Sequence, residues 1–108
     1  MVNPWREIKR TPGRPTRVFR HVEIVRQSPD SGKTGTFDVL QSYDWVNVVA
    51  LTPDFKIVMV EQYRHGTNDI TLELPGGAIS PKEEVLEGAK RELLEETGYS
   101  SEDWQLLG

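Results

Sequence analysis

Hydrophobic and polar residues alternate along 17–27, RVFRHVEIVRQ. Val18, Arg20, Val22 and Ile24 fall on one side, and Arg17, Phe19, His21 and Glu23 on the other, which is the period of a β-strand. Ser28-Pro29-Asp30-Ser31-Gly32 reads as a turn and 35–43 as the strand returning from it, so a hairpin is expected over 17–43. Upstream, Pro4, Pro12, Gly13 and Pro15 mark 1–16 as an extended or turning lead-in with Trp5 as a candidate anchor. Downstream, WVNVVAL (45–51) predicts a buried strand, Thr52-Pro53-Asp54 a tight turn, and KIVMVEQ (56–62) a further strand rich in β-branched residues. ITLEL (70–74) predicts another, ended by Pro75, and Pro75-Gly76-Gly77 a loop.

The period then changes from 2 to 3.6. Ser80 as N-cap, Pro81 at the first helical position and Glu83 at the third form a capping box, and Gly98 stands where a helix-ending glycine belongs. A helix is expected over 81–97, with Val85, Leu86, Ala89, Leu93 and Leu94 as its buried stripe. The expected organisation is a lead-in and hairpin over 1–43, followed by a core over 44–108.

With 108 residues and a net charge of −4, the chain suits one small soluble domain with a modest core. It has no cysteine, so disulfides and thiolate metal sites are excluded. It has no bilayer-length apolar run and no signal-peptide pattern, which makes a cytoplasmic location the default and a membrane partner unexpected. The charge is uneven. Residues 1–26 carry seven Lys/Arg against Glu7 and Glu23, for +5, and the rest carries −9. A basic arm beside an acidic site suits a small anionic substrate held through metal ions, and no nucleic-acid polymer is expected. A solvated strand pair with basic residues outward explains the arm equally well. Gly32-Lys33-Thr34 invites a phosphate-loop reading, but Gln27 stands where that loop needs a glycine and no helix follows.

The candidate chemistry lies in the helix. Glu92, Glu95 and Glu96 fall within an arc of roughly 100° on one face. Glu92 and Glu96 are like charges four residues apart, in the last turns, where the helix dipole already disfavours anions. Local physics opposes this placement, and a broken local rule points to function. A hard divalent cation, Mg²⁺ or Mn²⁺, resolves the conflict, since the donors are all carboxylate oxygens. Such an ion can clamp phosphates and activate a bound water. Arg91 can orient one of the carboxylates through paired hydrogen bonds. The plainer alternative is a solvated acidic face with ordinary i,i+4 pairs.

The spacing resembles a known family. Gly77, Glu83, Arg91, Glu92, Leu93, Glu95, Glu96, Gly98 and Tyr99 match the Nudix box, G-x5-E-x7-R-E-U-x-E-E-x-G-U, with Tyr99 replacing the usual aliphatic. The preceding Glu61-Gln62-Tyr63-Arg64 and Leu72-Glu73-Leu74-Pro75-Gly76 resemble the ADP-ribose pyrophosphatase branch. The resemblance implies an α/β (α+β) Nudix fold, an αβα sandwich around a mixed β-sheet. It implies Mg²⁺-dependent hydrolysis of a nucleoside diphosphate linked to another moiety, with ADP-ribose or a nucleotide sugar as the leading substrate. By the same resemblance Glu92, Glu95, Glu96 and the Gly76 carbonyl hold metal, Arg91 orients a glutamate, and Arg64 contacts substrate phosphate; a surface charge at a strand end is the alternative for Arg64. His65 reads as loop. In this branch N-terminal strands often exchange between copies, so 1–43 is expected to form a homodimer. Trp5, Phe37 or Trp45 could stack on a base or serve as core or interface aromatics.

The family usually continues well past the box, whereas this chain ends nine residues after Tyr99. The expectation is therefore a fold incomplete at its C-terminal end, lacking the family's later acidic residue and leaving a sheet edge to be covered by another chain. The competing reading is a metal- and nucleotide-binding Nudix fragment with little or no catalysis.

Overall fold

The alternating pattern of the N-terminal part becomes a three-stranded antiparallel sheet in a computed structural model that describes all 108 residues. Its strands are β1 (Arg6–Pro15), β2 (Arg20–Gln27) and β3 (Thr34–Gln41), in the order β1-β2-β3. The central strand β2 buries Val22 and Ile24. The expected hairpin is β2–β3, running from Arg20 opposite Gln41 to Gln27 opposite Thr34.

The lead-in reading of 1–16 is corrected. β1 pairs with β2 from Arg6 opposite Gln27 to Pro15 opposite Arg20, despite its prolines. An edge strand has amides that need no partner, and register shifts at Glu7/Lys9 and Pro12/Pro15 absorb the irregularity. Gly13 is required for a further reason: a Cβ there would lie 2.1 Å from Nδ1 of His21, which crosses β1 at that point. Trp5 meets Phe37 edge to face, with ring centroids 5.7 Å apart.

Residues 44–108 form a second unit. Its elements are β4 (Asp44–Asn47), β5 (Val60–Arg64), β6 (Asp69–Glu73), β7 (Gly76–Ile79) and α1 (Val85–Thr97). β4 pairs with β7 and β5 with β6, both antiparallel. The strands expected over 45–51 and 56–62 are shorter than their sequence pattern. Between them the chain is tied by the Leu51–Ile57 bridge, by the Val58 N–H donating to Ala50 O and by the Thr52 N–H donating to Lys56 O, both at 2.9 Å, around a turn in which Phe55 takes φ 60°. Of the Pro75-Gly76-Gly77 segment, expected as loop, Pro75 is a bend and Gly76-Gly77 instead open β7. A Cβ on Gly76 would fall 2.1 Å from the Val46 carbonyl, so glycine is what lets β7 close on β4.

The helix begins four residues later than its capping pattern suggests. Glu84, in extended conformation, occupies the N-cap and makes no side-chain cap bond. Ser80 sits in a separate turn, where its carbonyl accepts from Glu83 N–H at 2.9 Å. The C-terminus follows expectation: Gly98 adopts φ 75° and donates its N–H to Leu94 O. Of the predicted stripe, Ala89 and Leu93 are buried, joined by Gly88, while Val85, Leu86 and Leu94 are exposed. The core of this unit is Val48, Ala89 and Leu93, with Val46, Ala50 and Trp104 packed around them. No helix is long and apolar enough to cross a membrane.

Candidate active site

α1 places its acidic residues over the start of β7. A Cβ on Gly77 would lie 2.4 Å from the carboxyl carbon of Glu92, so the glutamate fills the space that any side chain at 77 would need. Next to it, Glu96 Oε2 accepts the Gly76 N–H at 3.1 Å, and its Oε1 accepts from Gln62 Nε2 on β5 at 3.1 Å. Two of the three carboxylates therefore converge on the Gly76–Gly77 backbone. The side chain of Glu92 is only 13% exposed.

Arg91 ties the cluster together. Its Nε and Nη2 donate to the two oxygens of Glu83 at 2.7 and 3.0 Å, a bidentate pair. Nη1 reaches Glu92 Oε1 at 2.9 Å and Glu95 Oε2 at 3.2 Å, and Nη2 also donates to Ala78 O at 3.3 Å. One guanidinium thus clamps the turn before the helix, the strand below it and two acidic residues of α1. The hydrogen bonds from Arg91 hold the Glu83 carboxyl below the usual glutamate value, against a smaller opposing effect of burial. In return Glu83 first, then Glu92, raise the guanidinium's own value.

Glu95 is the outlier of the trio, 58% exposed and drawn toward Arg91 rather than toward Gly76. No three His, Asp or Glu side chains converge as a ready metal site. The donor chemistry still suits a hard divalent cation. Every candidate ligand is a carboxylate or carbonyl oxygen, and Glu92 and Glu96 already meet at one glycine pair.

Arg64 ends β5, two residues beyond Gln62 and so on the same strand face. Its Nε donates to Glu73 Oε2 at 2.8 Å, and its guanidinium lies 6.0 Å from the centroid of the Trp45 ring. His65, read as loop, stands in the β5–β6 turn with its ring edge-on to Tyr63.

Three residues entered the sequence reading without the partners they take here. Gln62 was visible only within the Glu61-Gln62-Tyr63-Arg64 resemblance, with no role attached to it. Glu83 looked like a cap because its spacing fits a capping box. On a continuous helix it would stand too far from Arg91 to pair, and only the turn before Val85 folds it back. Glu73 was visible only as part of a resemblance.

This arrangement of strands and one helix matches a solved crystal structure of an ADP compounds hydrolase, with a TM-score of 0.76 over 95% of this chain and 56% of that one, at 23% identity. The likeness establishes the fold as that of the Nudix α/β class. The NUDIX domain pattern itself matches residues 41–108, and the chain belongs to the Nudix family. Among similar proteins, the methanol dehydrogenase activator of Bacillus methanolicus is 39% identical over 77 residues, which cover 71% of this chain and 42% of that protein. The ADP-ribose pyrophosphatase of Bacillus subtilis (strain 168) is 37% identical over 71 residues, covering 66% of this chain and 38% of that protein. The chain thus spans about two fifths of the length of these relatives.

Proposed function

We propose that this chain carries the metal-binding half of a pyrophosphatase site. The reaction is hydrolysis of a nucleoside diphosphate linked to another moiety, with ADP-ribose or a nucleotide sugar as substrate and Mg²⁺ or Mn²⁺ as cofactor. The observation that carries the reading is the meeting of Glu92 and Glu96 at Gly76–Gly77. The names of the similar proteins, an ADP-ribose pyrophosphatase and an ADP compounds hydrolase, support the substrate class.

In this reading Glu92, Glu95, Glu96 and the Gly76 carbonyl would hold the cation, and the chemistry it would supply there is Lewis-acid activation of phosphate and water. Gln62 and the Gly76 amide fix the Glu96 carboxylate, so its approach to the strand is set before substrate arrives. Arg91 keeps Glu92 in place and shields the mutual repulsion of Glu92 and Glu95. Arg64 supplies positive charge for the diphosphate. Residues 1–43 join two copies into a homodimer in the cytoplasm. The test is phosphate release from ADP-ribose and Mg²⁺, coupled to a phosphatase that acts on the products. Turnover that Glu96→Gln abolishes is expected, and no turnover above that variant rejects catalysis.

A second reading has an observation of its own. Glu95 turns toward Arg91, so a third carboxylate does not join the pair at Gly76–Gly77. That favours a site that binds metal and nucleotide with little catalysis. Calorimetric binding of ADP-ribose without turnover would select it.

A further inference from the structure

Arg64 and Glu73 occupy opposite ends of the β5–β6 hairpin. Arg64 pairs across the ladder with Asp69, next to the turn, whereas Glu73 pairs with Val60 and lies three residues before Gly76. An arginine at the tip of an exposed hairpin would ordinarily extend into solvent. Here its Nε is drawn back along the strand face to Glu73 at 2.8 Å, over the Gln62–Thr71 pair. Gln62 on that face is the residue that holds Glu96. The guanidinium is thus brought from the far end of the hairpin toward the segment that carries the carboxylates.

The bond uses only one edge of the guanidinium. Nε is engaged by Glu73, and neither Nη group donates to a protein acceptor. The Trp45 ring, 6.0 Å from the guanidinium carbon, adds a favourable contact on a second side. The result is a planar donor fork, held at its base and free at its tips, which suits an anion with paired oxygens. The hydrogen bond from Arg64 also holds the Glu73 carboxyl below its ordinary value.

We propose that Glu73 is a positioning residue. It orients Arg64 so that the free Nη groups face the diphosphate of the substrate, and it does so without touching the substrate itself. This deepens the hydrolase reading given above and rests on it. It assigns Glu73 a role beyond the box, in support of the contact between Arg64 and phosphate.

The test uses ADP in the presence of Mg²⁺ and two readouts on the whole chain, the calorimetric affinity and the ¹⁵N side-chain resonance of Arg64 Nε–H. Glu73→Ala is expected to weaken ADP binding about tenfold, the scale of one charge-assisted hydrogen bond, and to collapse the Arg64 resonance into the solvent-exchanged pool. Glu73→Gln, which keeps an acceptor, should recover part of both. In an Arg64→Ala background, Glu73→Ala should cost nothing further. If the unmodified chain binds ADP and Glu73→Ala leaves affinity and resonance unchanged, or if its loss adds fully to that of Arg64→Ala, the positioning role is overturned by itself. If the unmodified chain binds no ADP, the hydrolase reading fails and takes the role of the pair with it.

Discussion

Gly77 and Glu92 show why the family spacing is physical. The glycine is needed because a carboxylate stands where its side chain would be, and the carboxylate is held there by Arg91. Arg91 in turn depends on Glu83, whose depressed value couples the cluster to pH. A carboxyl whose value is lowered on folding adds stability above its unfolded value, and loses it as pH falls through the folded one. The contribution of Glu83 is therefore complete above about pH 4.5, its ordinary value, and disappears below it. Melting temperature should fall over that acid window in the unmodified chain. Arg91→Ala should melt lower near neutrality and show a smaller fall below pH 4.5. Parallel pH profiles for the two proteins would remove Glu83–Arg91 as the source.

At the scale of elements, the helix, its αL glycine cap and the strand periods were legible because each rests on local chemistry. Gly98 could be placed from sequence because few residues accept φ 75°. The start of α1 was not legible. Ser80 and Glu83 satisfy a capping rule, but a partner further along the chain takes Glu83, and tertiary pairing wins over the local pattern. β1 was missed for a similar reason: prolines argue against a strand until its place at a sheet edge is known. The acidic trio was legible as residues, but not in its split arrangement, with two members on Gly76–Gly77 and one on Arg91. Within α1 the burial is concentrated in Ala89 and Leu93, the latter 3% exposed. Leu93→Ala should cost about 2–5 kcal/mol in chemical denaturation, whereas Leu94→Ala, on the exposed side, should cost far less. Equal losses would contradict the packing direction of the helix.

At the scale of the whole molecule, few large side chains are buried and many are exposed. Leu51, Phe55, Ile57 and Met59 are exposed along one loosely paired segment, and Tyr63, Ile70 and Leu72 along the β5–β6 hairpin. Ile8 and Leu40 are exposed on the two outer strands of the N-terminal sheet. Large apolar side chains exposed within one element in this way suit surfaces that associate. Sedimentation at micromolar concentrations should give roughly twice the chain mass of 12.3 kDa, as expected of a two-fold dimer. A monomer throughout that range would contradict the homodimer.

The metal claim is tested most directly by Mn²⁺, whose unpaired electrons broaden nearby amide resonances. Substoichiometric Mn²⁺ should erase the signals of Gly76, Gly77 and Glu96 first, and Glu96→Gln together with Glu92→Gln should prevent it. Broadening centred on other acidic residues, or none at all, would contradict the account.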